Sequence, residues 1–135
     1  MTVSTPRGIR NNNPGNIRRT QIAWRGEVPG ADKDFETFST PEYGIRAMGK
    51  LLQNYADEGI NTITKIINRY APTNENDTGA YVRAVALHTG FEPDQPLNLR
   101  EAPILHALVV AIIIHENGTN PYSETTINRA LSMLT

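Results

Sequence analysis

The chain has no cysteine and a single tryptophan, Trp24, in 135 residues. Lack of cysteine excludes disulfides and thiolate-held metals, and leaves reducing and oxidising compartments equally open. An excess of either charge is also missing. Thirteen Lys+Arg stand against fourteen Asp+Glu, so the molecule as a whole has no electrostatic bias toward nucleic acid or an anionic membrane. Long apolar runs are absent too: ILHALVVAIII falls short of the ~20 residues that a bilayer-spanning helix needs and is soon followed by a carboxylate. It reads as a core helix. His88, His106 and His115 are spaced too widely and irregularly for a metal site, and the acids follow no EF-hand order. Neither metal nor cofactor is expected. With no P-loop, no dinucleotide-binding glycine pattern and no G-x-S-x-G elbow, phosphoryl transfer and serine hydrolysis are disfavoured. The opening MTVSTPRGIRNNN lacks the apolar core of a secretory signal, so work outside the cytoplasm would need another means of delivery.

What is present suits one domain over residues 1–135 with one cleft. Residues 1 to 40 are rich in Gly, Pro and Asn and read as turns and short strands, with Phe35 and Phe38 anchoring a small β lobe. Thr40-Pro41-Glu42 is a helix start, followed by apolar residues at 45, 48, 51, 52 and 55 up to Gly59. A second helix is expected over 62–69, carrying Ile63, Ile66 and Ile67, and a third from Thr78 to Gly90. Asn98 and Glu101 resemble a capping box for a long apolar helix over 99–116, with Pro103 near its start. Being apolar on nearly every face, that helix should be buried all round. Ser123 caps a final short helix. Five helices and a turn-rich lobe make a mostly helical α+β domain.

Glu116 sits where the apolar helix breaks, between isoleucines and Asn117-Gly118. A carboxyl set against apolar side chains at a helix C-terminus resists ionising, which suits a general acid. The plainer alternative is a surface glutamate that solubilises the helix end. In NNNPGNIR, Pro14-Gly15 fixes a turn that would present Asn13 and Asn16 to a polar uncharged ligand such as a sugar, unless the asparagines only bond their own backbone. Tyr70 and Tyr81 flank a polar loop holding Glu75, Asn76 and Asp77, and either stack on sugar faces or pack the core. Trp24 and Glu27, in WRGE, are candidates for the same groove. Arg7, Arg10, Arg18 and Arg19 either meet phosphate or an anionic glycan, or form a solvated basic edge.

These residues resemble a known group, the lysozyme-like peptidoglycan-cleaving domains, which include lytic transglycosylases and flagellar-type glucosaminidases. The opening RGIRNNNPGNIR looks like that of phage virion-associated proteins of this kind. HENGTNPYS (115–123) is similar to the family's helix-ending catalytic glutamate with its small polar follower, NPGNI (13–17) to its Asn- and Gly-rich turn, and FETFSTPEYGIRAMGKLL (35–52) to its aromatic-x-x-aromatic segment. Tyr81-Val82 matches its tyrosine-valine pair. The order departs from the family, whose glutamate helix comes first, so the resemblance implies a circularly permuted lysozyme-like fold. It also implies general acid cleavage between N-acetylmuramic acid and N-acetylglucosamine, by a transglycosylase or a muramidase, with Glu116 as the acid. Glu27, Asp34 and Glu75 are then candidates for a second catalytic group, and Asn13, Asn16, Trp24, Tyr70, Asn76, Tyr81, Asn117 and Tyr122 for substrate binding. Bacterial peptidoglycan and other virion proteins are the implied partners, without nucleic acid or a membrane span. The implied location is the virion or, after delivery, the periplasm. The rival is a non-catalytic virion structural or glycan-binding module on the same fold.

Overall fold

The computed structural model of the chain describes residues 5–71 and 77–134. Among them are six helices and one two-stranded antiparallel sheet, the mostly helical α+β class that the residue patterns imply.

Local chemistry sets most of the elements. Helix α2 (Pro41–Asp57) starts where Thr40 Oγ1 accepts from Tyr43 N and proline takes the first turn; Ile45, Met48, Leu52 and Tyr55 are its buried stripe. Helix α3 (Ile63–Tyr70) is capped by Thr62, whose hydroxyl accepts from Lys65 N at 3.2 Å, and α4 (Thr78–Thr89) by Asp77, which accepts from Ala80 N at 3.0 Å. Each such cap contributes about 1 kcal/mol. Gly90 closes α4 in the left-handed conformation, and Ser123 caps α6 (Glu124–Ser132).

Helix α5 (Ala102–Asn117) is the centre of the domain, packing against α2, α4, α6 and the one-turn helix α1 (Arg7–Arg10). Leu105, Leu108, Val109, Ile112 and Ile113 lie within the core. Burial at this level is worth about 1.5–3 kcal/mol for each large aliphatic side chain.

Three expectations need correction. The arginine-rich RGIR is helical and docks on α5. Helix α5 is not buried all round, since Ile104, Val110 and Ile114 are half-buried and His115 is exposed. No capping box starts it either. A helix beginning at residue 99 would put Pro103 where its missing N–H is needed, so the helix begins at Ala102, with proline in the tolerated first turn. Asn98 instead accepts from Arg100 N at 3.0 Å in the preceding turn.

The small lobe comprises β1 (Glu27–Val28) and β2 (Thr37–Phe38), paired Glu27 to Phe38 and Val28 to Thr37, with a bridge from Arg18 to Phe35. Phe38, 1% exposed, anchors it. Gly44 lets the lobe approach α2: a Cβ there would lie 1.8 Å from the Asn12 carbonyl oxygen. Among the described residues no helix is long and apolar enough to cross a membrane.

Candidate functional site

The NNNPGN turn is stitched to the lobe from within. Asn13 is completely buried; its amide donates to the carbonyls of Ile17 and Glu36, both at 2.9 Å, and its oxygen accepts from Ile17 N at 2.9 Å. Every polar atom of that side chain is committed to the scaffold, which corrects the expectation that Asn13 faces a ligand. Asn12 and Asn16 hold φ of 53° and 50°, a left-handed conformation that asparagine tolerates better than most residues.

Three bonds then dock the Pro14-Gly15-Asn16 apex onto the helices. Asn117 Nδ2 donates to the Pro14 carbonyl at 2.7 Å, the Tyr70 hydroxyl donates to the Gly15 carbonyl, and Asn16 Nδ2 donates to Glu116 Oε1 at 2.8 Å. The last joins residues 100 positions apart. Gly8 is required by this junction, because a Cβ on it would lie 2.7 Å from Asn16 Oδ1 and 2.8 Å from Asn117 Oδ1.

Glu116 is thus held from two sides. Its Oε2 accepts from the Tyr81 hydroxyl at 2.8 Å, while Gly118, at φ 76°, ends α5 just beyond it. The Tyr81 side chain is fully buried and stacks on His115, with ring centroids 3.7 Å apart. Burial, reinforced by the Glu116 charge, pushes the Tyr81 phenol well above its ordinary value, and the same two causes raise Tyr70. Both phenols are therefore fixed as hydrogen-bond donors over the accessible pH range.

Glu116 and Asn16 share one cleft of about 470 Å³. Trp24, Ile22, Phe35 and Arg18 of the first lobe line it, together with Leu51 and Tyr55 of α2 and Arg69 and Tyr70 of α3. Aromatic faces beside convergent polar groups suit a saccharide or another amphipathic ligand. Glu116 is the one carboxylate among the described residues that line it.

Of the expected binding residues, Asn16, Trp24 and Tyr70 line the cleft. Tyr81 and Asn117 do not; they lie behind it and hold Glu116 and the Pro14 turn, so each positions a neighbour instead of meeting a ligand. Tyr122 is half-buried against the core, away from the cleft, and burial raises its phenol to about 12. Neither Glu27 nor Asp34 reaches the cleft. Glu27 lies on β1 beside the buried Glu36 carboxyl, and Asp34 pairs with Arg7 at 3.2 Å. Glu75 and Asn76 fall outside the described residues. The basic edge also divides: Arg7 binds Asp32, Arg19 donates to the carbonyls of Gly30 and Asp32, and Arg18 turns to the cleft. Arg69, Tyr55 and Leu51 were not legible as cleft residues, since their spacing reports only the faces of α2 and α3.

No family model matches the chain. Over 128 residues, spanning 91% of this chain and 78% of the relative, it is 43% identical to a bacteriophage protein, Protein P5 of Pseudoalteromonas phage PM2.

Proposed function

We propose, from the premise that the chain belongs to the family of Protein P5 of Pseudoalteromonas phage PM2, that it is a glycosidase of lysozyme-like, circularly permuted architecture that cleaves peptidoglycan. One observation carries this reading: the Asn-rich turn and the helix-ending glutamate meet in one aromatic-walled cleft, through the Asn16 to Glu116 bond. In this mechanism the buried Tyr81 hydroxyl anchors Oε2, the Asn16 amide anchors Oε1, and the carboxyl so held beside the cleft supplies the reaction with its proton. Glu116 gives that proton to the glycosidic oxygen between N-acetylmuramic acid and N-acetylglucosamine; the C–O bond breaks and its electron pair leaves with that oxygen, so an oxocarbenium-like centre develops. The centre is then closed either by the sugar's own hydroxyl, which returns its proton to Glu116 as in a lytic transglycosylase, or by water as in a muramidase, for which Glu75, outside the described residues, is the remaining candidate second group. The protein acts on the cell wall from the virion or after delivery to the periplasm, alongside other virion proteins.

A second reading has its own support. Both Glu116 oxygens tie separate parts of the fold together, as expected of a structural pin in a non-catalytic virion or glycan-binding module. Clearing of purified peptidoglycan by the wild type and by Glu116→Gln separates the two. The glycosidase reading expects clearing by the wild type alone, and the product masses then separate a transglycosylase, which leaves anhydro-muramic ends, from a muramidase, which leaves reducing ends. Equal clearing by both would remove Glu116 from the acid role, and clearing by neither would leave the binding module.

A further inference from the structure

Arg25 and Arg46 lie outside the cleft, and the fold brings them together from two elements. Arg25 belongs to the turn from Trp24 to Glu27, which closes where Glu27 N donates to the Trp24 carbonyl at 3.2 Å. Gly26 presses that turn onto α2: its φ is 82°, a Cβ on it would lie 2.1 Å from Tyr43 Cγ, and its carbonyl accepts from Ser39 N at 2.9 Å. Arg46 follows Tyr43 by three residues on α2 and so shares its side of the helix.

Among the described residues no hydrogen bond or ion pair engages either guanidinium, and Arg46 Nε is buried without a partner. Glu42, one turn before Arg46, pairs instead with Arg129 of α6 at 3.7 Å. Burial, and then the charge of Arg25, hold the Arg46 guanidinium below its ordinary value. Two like charges set together, one of them partly desolvated, work against the fold as long as nothing compensates them. An anion between them reverses the sign of that interaction. Two planar forks arriving from different elements suit a tetrahedral group with several acceptor oxygens and up to two negative charges; a planar carboxylate is filled by one fork.

We propose that Arg25 and Arg46 form a binding site for a phosphate group, separate from the cleft and independent of any turnover by Glu116. The chain's formal charge of −1 gives the molecule as a whole no attraction for anions, so the binding comes from this local pair.

The test titrates the full chain calorimetrically with inorganic phosphate and with acetate at one ionic strength. The wild type is expected to bind phosphate in preference to acetate, and Arg25→Gln and Arg46→Gln each to bind it about ten-fold more weakly, the scale of one lost charge-assisted hydrogen bond. Melting temperatures supply a readout that a merely structural arginine would not move. In chloride Arg25→Gln should melt at or above the wild type, because a repulsion is gone; in phosphate it should melt below, because only the wild type gains from the bound anion. Retention on phosphatidylcholine vesicles that requires added phosphatidic acid and both arginines would identify a lipid headgroup as the source of the phosphate. Binding of inorganic phosphate without such retention would identify a free phosphate. No binding of inorganic phosphate by the wild type overturns the proposal, as does acetate binding of equal strength. An equal rise in melting temperature for the wild type and Arg25→Gln in phosphate overturns it as well, since an excluded anion acting on the whole surface gives that result.

Discussion

Replacing Glu116 in two ways separates its chemistry from its place in the fold. In Glu116→Gln the side chain keeps its shape, the new amide oxygen can accept from Asn16 Nδ2, and the amide nitrogen can donate to the Tyr81 hydroxyl, which turns its proton away. Both contacts survive but lose their charge assistance, roughly 1 kcal/mol apiece before screening at this half-buried position. The expected loss is about 1–2 kcal/mol, or about 3–8 °C in melting temperature for a domain of this size. Glu116→Ala leaves the Tyr81 hydroxyl, in a fully buried residue, and the Asn16 amide without their acceptor. At about 1–3 kcal/mol for each of the two unsatisfied groups, the loss becomes about 2–6 kcal/mol. Thermal melts followed by circular dichroism should thus rank wild type above Gln above Ala, whereas peptidoglycan clearing should fall by about 100-fold or more in both variants, the scale of a lost general acid. Equal melting of the Gln and Ala variants would refute the pinning geometry. A Gln variant that clears like the wild type would refute the acid.

Other perturbations test the scaffold. Gly44→Ala forces a methyl onto the Asn12 carbonyl, 1.8 Å away, and should cost about 1–3 kcal/mol or more in urea unfolding, since backbone on each side must move. Hydrogen bonds from Arg7, and then from Asn11, hold the Asp32 carboxyl far below the usual carboxylate range. Its contribution is therefore present above the unfolded value of about 3.9 and lost as pH falls through the folded one. Asp32→Asn should melt below the wild type at pH 7, and the two should converge in strong acid. Glu36 has the opposite sign, because burial and then the neighbouring Glu27 raise its carboxyl. Folding is favoured while it stays protonated, and stability is lost as pH rises from the unfolded value of about 4.3 through the folded one. Glu36→Gln should remove that decline and melt above the wild type at pH 7; a pH series of melts in which the two run parallel would contradict this.

Legibility in the sequence follows the range of the interaction. Thr40, Thr62 and Ser123 cap neighbours three residues on, so the starts of α2, α3 and α6 could be read from a few letters. The same local reading misplaced the start of α5 when it set the Asn98 and Glu101 pattern above the constraint of Pro103, which proved stronger. Around the cleft, local reading identified residues but not their roles. Asn13 and Asn16 are the same amino acid in one turn, yet one is sealed under the lobe by its bonds to Ile17 and Glu36 and the other donates to Glu116. No period in the sequence carries that difference.

Glu116 shows the limit most clearly. Its helix end could be read from Gly118, but its two hydrogen-bond donors come from residues 16 and 81, neither of which belongs to α5. The carboxylate is held in its geometry only when the first lobe and α4 have both docked. Formation of the site is therefore coupled to closure of the whole domain: a change at Gly8, which touches no ligand, should disturb Asn16 and Asn117 together and reach Glu116 through them.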